Sequence, residues 1–189
     1  MILRIVRGTV ADPAHNPDAW VMDTLGRLRG GGAKPRATFV GWRPTTDGVT
    51  VAVVTAWKDA ATAASYEADV RLLEAAGHRP EPVLYECESG GTTGSVARPS
   101  VLRIATGWIE RGPDAEIQQE LRARLPRLGS ELVDAYVGRR IRGQSVEVLL
   151  VATWTKEPSD HPLDEPLWPD ITARYREFLI ETYAPVASG

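Results

Sequence analysis

The sequence predicts an α+β protein built from two tandem copies of one small unit, each running β-α-β-β-α-β. Three observations carry this. Residues 49–57 (VTVAVVTAW) return in character as residues 146–154 (VEVLLVATW), each a β-branched run closed by a Trp. Across residues 39–57 against 136–154, 7 of 19 positions are identical at a constant spacing of 97. Further upstream, Leu3-Arg4-Ile5 and Gly8 return as Leu102-Arg103-Ile104 and Gly107 at a spacing of 99. A helix or loop absorbs that two-residue offset. The period is too long for a solenoid, whose units run to roughly 20–50 residues. It divides the chain into domains 1–95 and 96–189.

In order, Ile2–Val10 reads as a strand bounded by Asp12-Pro13. Asn16 is an N-cap candidate with Pro17 at the first helical position, and residues 19–28 read as a helix with Trp20, Leu25 and Leu28 as its buried stripe. Gly30-Gly31-Gly32 ends it; the run follows a helix and lacks the Lys-Ser/Thr of a phosphate loop. Residues 37–43 and 49–57 form a hairpin around Asp47-Gly48. Residues 60–76 read as one helix capped by Gly77, and residues 81–88 as the fourth strand. This is the ferredoxin-like order. Residues 89–99 (SGGTTGSVARP) are the linker. The second copy follows with a strand over 101–110, a helix over 115–128, and a hairpin of 132–142 with 145–154. Residues 158–169 are irregular and rich in proline and acid, and a short helix covers 170–175; residues 176–184 could continue that helix, but their alternation of Phe178, Ile180 and Thr182 and their match to 81–88 favour a closing strand.

Composition bounds the function. With 189 residues, 43% hydrophobic and 25% charged, the chain has the composition of a globular protein, and each half holds a modest core. A net charge of −3 argues against nucleic-acid and acidic-membrane binding. No apolar run reaches the length of a transmembrane helix, and the N-terminal stretch has charges inside its apolar run. The single Cys87 excludes an internal disulfide, and the expected setting is the cytoplasm. Cys87 reads as an inert buried thiol. His15, His78 and His161 are scattered, and the cluster Asp160, His161, Asp164, Glu165 reads as a solvated acidic loop, so no metal is expected.

Residues 5–10 (IVRGTV), residues 39–43 (FVGWR) and the long strand ending Thr55-Ala56-Trp57 before a helix resemble the antibiotic biosynthesis monooxygenase family. Tyr183-Ala184-Pro185-Val186 is similar to that family's terminal strand. The resemblance implies a dimeric α/β barrel, in which two ferredoxin-like domains pair sheet to sheet. Here the eleven-residue linker lets both copies pair within one chain, so the barrel is expected to be complete in a monomer. The superfamily includes cofactor-free quinone-forming oxygenases, haem-degrading enzymes and small-molecule isomerases. Its haem-degrading branch needs a His on the helix after the Trp, and residues 60–76 contain none. No cofactor is expected.

The resemblance implies a pocket under the helices, and strand alternation puts Trp57 and Trp154 on that face with Val51, Val53, Val148 and Leu150. Tyr66, nine residues past Trp57, is placed to hydrogen-bond a phenol, and Arg4 and Arg103 to stabilise a phenolate. Trp57, Tyr66 and Arg4 are the expected catalytic residues; Trp154, Arg103, Trp108 and Trp42 the expected substrate contacts. The plainer reading makes both repeated Trp residues core and both Arg residues packed stems with paired heads. The leading function is a monooxygenase-like protein acting on a small aromatic molecule. The alternatives are a non-catalytic ligand-binding or stress-related protein, and an interaction module. The first repeat is expected to hold the better pocket, with Trp168 dropping into the second and plugging it.

Overall fold

A computed structural model describes residues 1–10, 17–28, 33–74, 79–92, 99–124, 131–156 and 168–185. The elements are β1 (Ile2–Val10), α1 (Pro17–Leu28), β2 (Ala37–Thr45), β3 (Gly48–Trp57), α2 (Ala60–Ser65), α3 (Ala68–Glu74), β4 (Val83–Thr92), β5 (Val101–Glu110), α4 (Asp114–Arg124), β6 (Leu132–Arg142), β7 (Ser145–Trp154), α5 (Pro169–Thr172) and β8 (Arg176–Pro185). The fold is α+β and ferredoxin-like, with eight strands and few helices among the described residues. Contacts divide the chain into one unit of Met1–Leu84 with Tyr183–Gly189, and another of Tyr85–Thr182.

In the first unit β3 runs antiparallel between β1 and β2, with Ile2 opposite Trp57 and Val10 opposite Val49. The end of β8 adds to β2 through Gly41–Pro185 and Trp42–Ala184. One sheet face carries Val6, Val10, Val40, Val49, Val51 and Val53, which pack against Val21 of α1 and Val70 and Leu73 of α3. Gly8 sits beneath α3 with a purpose: a Cβ there would come within 3.1 Å of Leu73. The β2–β3 hairpin turns on Thr46-Asp47, and the left-handed Gly48 (φ 130) opens β3.

The second unit orders its strands β8-β5-β7-β6-β4. β7 runs antiparallel between β5 and β6, with Val101 opposite Trp154 and Glu110 opposite Ser145. Its core joins Val146, Val148, Leu150, Ala152 and Trp154 of β7 to Ile117 and Leu121 of α4 and Ile171 of α5. Gly107 repeats the role of Gly8 more tightly, since a Cβ there would lie 2.6 Å from the Tyr175 ring. A second repeated pairing is an Arg over a Tyr: Arg43 with Tyr183 and Arg140 with Tyr85, each with its guanidinium carbon 5.4 Å from the ring centre.

Three elements differ from the sequence expectations. The helix over 60–76 is two helices, because Tyr66 leaves α2 in an extended conformation (φ −78, ψ 117) and its carbonyl is held from below by Arg4. The glycine-rich stretch assigned to the linker begins as strand. Ser89, Gly90, Gly91 and Thr92 pair with Val137, Tyr136, Ala135 and Asp134 of β6, so backbone hydrogen bonding holds a segment whose side chains give no strand signal. β2 runs through Pro44 to Thr45, so the first hairpin turn is tighter than expected. The closing strand and both second-repeat hairpin strands stand where expected. Asn16, the Gly30–Gly32 run, Gly77, all three His residues and the acidic cluster from Asp160 to Glu165 lie outside the described residues. No helix among the described residues is long and apolar enough to cross a membrane.

Candidate functional site

The equivalent places in the two repeats are built from matched residues and filled differently. In the first, Arg4 of β1 and Trp57 of β3 lie on the helix-bearing face and are fully buried or nearly so. Asp59 caps α2 by accepting from the Thr62 amide at 2.8 Å, and that bond holds its carboxyl below the ordinary aspartate range. α2 therefore starts at a fixed point and delivers Tyr66 over the strands. The Tyr66 ring meets the Trp57 ring at 4.7 Å between centres and 53° between planes. The Arg4 guanidinium carbon lies 5.8 Å from the same Tyr66 ring, and Arg4 Nη2 donates to the Tyr66 carbonyl at 2.6 Å. The Trp57 indole N–H donates to Thr55 Oγ1 at 2.8 Å.

In the second repeat, Arg103 replaces Arg4 and Trp154 replaces Trp57, but Ala152 stands where the first has Thr55. The Trp154 indole nitrogen is fully buried with no acceptor among the described residues. Arg103, 2% exposed, lies in the wall of a cavity formed with Ala105, Leu121, Leu150, Trp168, Tyr175 and Phe178 among others. The cavity leaves about 30 Å³ for the centre of a water-sized sphere. That is room for one or two waters and not for an aromatic ring. Its roof is α5 and the start of β8. Trp168 is fixed at the head of α5, where its carbonyl accepts from the Ile171 and Thr172 amides. α5 is tied to α4 by the forked pair Arg124–Asp170 at 2.8 and 2.6 Å, and the turn after it by Arg174–Glu120 at 3.1 Å. Burial pushes the Tyr175 hydroxyl well above its ordinary pKa, so it stays protonated.

A better pocket was expected in the first repeat. Among the described residues Tyr66 packs on Trp57 there with Arg4 beside it, and a cavity lies in the second. Trp168 does enter that region, as a wall that leaves space behind it. The structure brings Trp57, Tyr66 and Arg4 together. It places Trp42 and Trp108 elsewhere. The Trp42 indole donates to Asp18 Oδ1 at 2.6 Å and ties β2 to α1. Trp108 and Tyr85 both lie near the Arg140 guanidinium, at 5.7 and 5.4 Å, and Arg140 pairs with the buried Glu147. Sequence reasoning missed Tyr175 as a cavity wall. The repeated Gly107 was a usable signal, because a glycine kept in both copies marks a close approach.

On the opposite face of β6, Asp134 is buried and has only a long contact from Thr153 Oγ1, at 3.4 Å. Burial raises its pKa, and burial with the nearby Asp134 and Cys87 pushes Tyr136 up to about 12. Among the described residues no group of His, Cys, Asp and Glu could hold a metal ion.

No protein-family model matches the sequence, and no curated protein matches it. Solved structures do match its fold. A putative monooxygenase of Fusobacterium nucleatum aligns over 98% of this chain and 92% of its own at 11% identity, with a TM-score of 0.72. A heme-degrading enzyme of Listeria monocytogenes aligns over 97% and 99% at 11% identity, with a TM-score of 0.58. A ferredoxin-fold protein of Listeria monocytogenes related to antibiotic biosynthesis monooxygenases aligns over 97% and 94% at 11% identity, with a TM-score of 0.53. At these identities the likeness is one of fold.

Proposed function

We propose that the chain is a monooxygenase-like small-molecule protein whose ligand site is the cavity of the second repeat, and that the ligand is a small aromatic carrying a phenolic oxygen. The observation that carries this is Arg103: a buried cation in a wall whose other described side chains are, apart from Thr172, aliphatic and aromatic. Such a wall takes the flat apolar body of an aromatic, and the guanidinium takes its oxygen as phenolate. A ring enters only when Trp168 turns aside, which makes Trp168 the residue that sets ligand size.

In the oxygenase form of the reading, the bound anion gives electrons to dioxygen. One oxygen atom enters the ring carbon opposite the phenolic oxygen as a carbonyl, and the other leaves as water with the single hydrogen of that carbon and the phenolic proton. The aromatic wall keeps solvent from the carbanion. One observation favours the non-catalytic form: among the described residues the wall holds neither carboxylate nor imidazole, and Tyr175 is held protonated, so none of these side chains is a ready base. We further propose that repeats 1–95 and 96–189 complete a dimeric-type α/β barrel within one cytoplasmic chain. The matched strand repeat and the fold of the neighbours support this.

Titration with 2-naphthol, followed by tryptophan fluorescence, tests the site. R103M should weaken binding at least about tenfold, the loss of one charge-assisted hydrogen bond. W168A should strengthen it. Unchanged affinity in both variants would remove the cavity as the site. Oxygen uptake by the wild type with a dihydroxyanthrone separates turnover from binding alone.

A further inference from the structure

In the second unit, the sheet face turned away from the cavity carries a row of four side chains at one level. Trp108 of β5 stands opposite Glu147 of β7, and Glu147 stands opposite Arg140 of β6. β4 continues the row: Glu86 pairs with Arg139, and Tyr85 beside it reaches the Arg140 guanidinium. Alternation sets this row against Val146 and Val148, which pack beneath the helices on the other face. Arg140 is fixed on three sides. Its Nε donates to the Glu147 carboxylate, and its guanidinium carbon lies 5.4 Å from the Tyr85 ring centre and 5.7 Å from that of Trp108. Glu147 is buried, so water competes little for the pair. The far edge of the guanidinium is open. Its two terminal nitrogens donate to no described residue, and neither is sealed from solvent, the side chain being 20% exposed.

We propose that this open edge binds a small organic acid through its carboxylate. With Nε taken by Glu147, Nη1 and Nη2 remain as two parallel donors, the fork that matches the two oxygens of a carboxylate. An arginine ordinarily loses side-chain freedom when it grips a ligand; here Glu147 and two rings have already removed it. Trp108 is half-buried, so part of its indole is left for the apolar body of the acid. The surrounding charges suit one negative charge and not two. Glu147 offsets Arg140, and Arg176 pairs with Glu110 at 2.5 Å. Arg142, exposed and two residues beyond Arg140 on the same face, has no ion-pair partner among the described residues. One spare cation accommodates a monoanion, whereas a dianion is repelled by the Glu147 carboxylate. The first repeat shows that the row is more than packing. Arg43 and Tyr183 repeat the Arg–Tyr stack at the same 5.4 Å, but Thr50 and Thr9 stand in the places of Glu147 and Trp108, their hydroxyls 3.3 Å apart. The stack thus forms without a carboxylate or an indole at those positions. The second repeat adds the group that aims the guanidinium and the apolar surface beside it. This site lies across the sheet from the cavity at Arg103 and does not rest on what that cavity binds.

Calorimetric titration of the full chain with sodium benzoate tests this, with benzamide as the neutral molecule of the same shape. Wild type should bind benzoate, and benzamide at least about tenfold more weakly, for want of a charge-assisted hydrogen bond. Arg140→Lys keeps a positive charge against Glu147 but gives up the fork; it should weaken benzoate at least about tenfold while the melting temperature changes little. Trp108→Ala should weaken it about three- to tenfold, the worth of one aromatic contact. Inorganic phosphate at pH 8, a tetrahedral dianion, should not displace benzoate at equal concentration. Benzoate affinity unchanged in R140K would overturn the inference, whatever other group then held the acid. So would an absence of benzoate binding to wild type, equal affinity for benzamide, or displacement by equimolar phosphate. Should R140K fail to fold, Arg140→Met combined with Glu147→Met removes both charges together and leaves neither buried alone. That double variant should bind no benzoate, and binding at wild-type strength would overturn the inference equally.

Discussion

Asp134 shows how much one buried atom decides. The residue is 7% exposed, Thr153 reaches one carboxylate oxygen at 3.4 Å, and the other oxygen has no partner among the described residues. Burial favours the protonated form, so the folded pKa stands above the unfolded one. The sign follows from linkage. The folded state binds this proton more tightly, so the contribution to stability is full below the ordinary aspartate pKa and is lost as pH rises through the folded value. Asp134→Asn should therefore stabilise the protein at neutral pH by about 1–3 kcal/mol, the usual penalty of a poorly satisfied buried polar group. The gain should shrink towards pH 3, and chemical denaturation across that range would check it. A variant less stable than wild type at neutral pH would give Asp134 a partner unlike any described above. None of this was legible in the sequence, because Asp134 sits inside an apolar strand pattern and its burial comes from neighbouring strands. Trp57, Arg4 and Tyr66 were legible as a group, since repeat matching and strand parity place them on one face. That Tyr66 would fill the site was not, because the helix break depends on where its carbonyl finds Arg4.

At the level of elements, strands were the most readable parts. Hairpin strands β6 and β7 follow from alternation and a repeated sequence alone, and both stand within the expected bounds. Segments held by backbone pairing or a single contact were less readable. β4 continues through Gly90-Gly91 only because β6 lies beside it, and α2 stops after six residues because of Tyr66. Gly107 connects β5 to the cavity roof, with the Tyr175 ring resting directly on its Cα. Gly107→Ala should displace Tyr175 and cost about 1–3 kcal/mol, as overpacking does. Gly8→Ala should cost less, because its nearest neighbour, the Leu73 Cβ, lies 3.1 Å away where Tyr175 lies 2.6 Å from Gly107. Melts of the two variants would rank them, and a crystal structure of G107A should show the cavity changed in shape.

For the molecule as a whole, sequence and contacts draw different lines. By sequence β4 closes the first repeat; by contacts it pairs with β6, from Glu86–Arg139 to Thr92–Asp134. β8 likewise begins beside β5 and ends on Trp42 and Gly41 of β2. Fragments 1–95 and 96–189, made separately, would each expose strand edges that the intact chain covers. They should be poorly soluble alone and should form a soluble one-to-one complex when co-expressed. Size-exclusion chromatography with light scattering would read this, and two fragments that are each soluble and monomeric would count against it. The difference between Thr55 and Ala152 has a consequence of another kind. In an assembly of two identical chains, every substitution strikes both sites at once, and a change that serves one burdens the other. A chain that carries both copies is released from that symmetry. One copy can close over its own tyrosine and become ballast for the fold, while its twin keeps an indole with no acceptor among the described residues and a cavity beside Arg103, free to acquire a different chemistry.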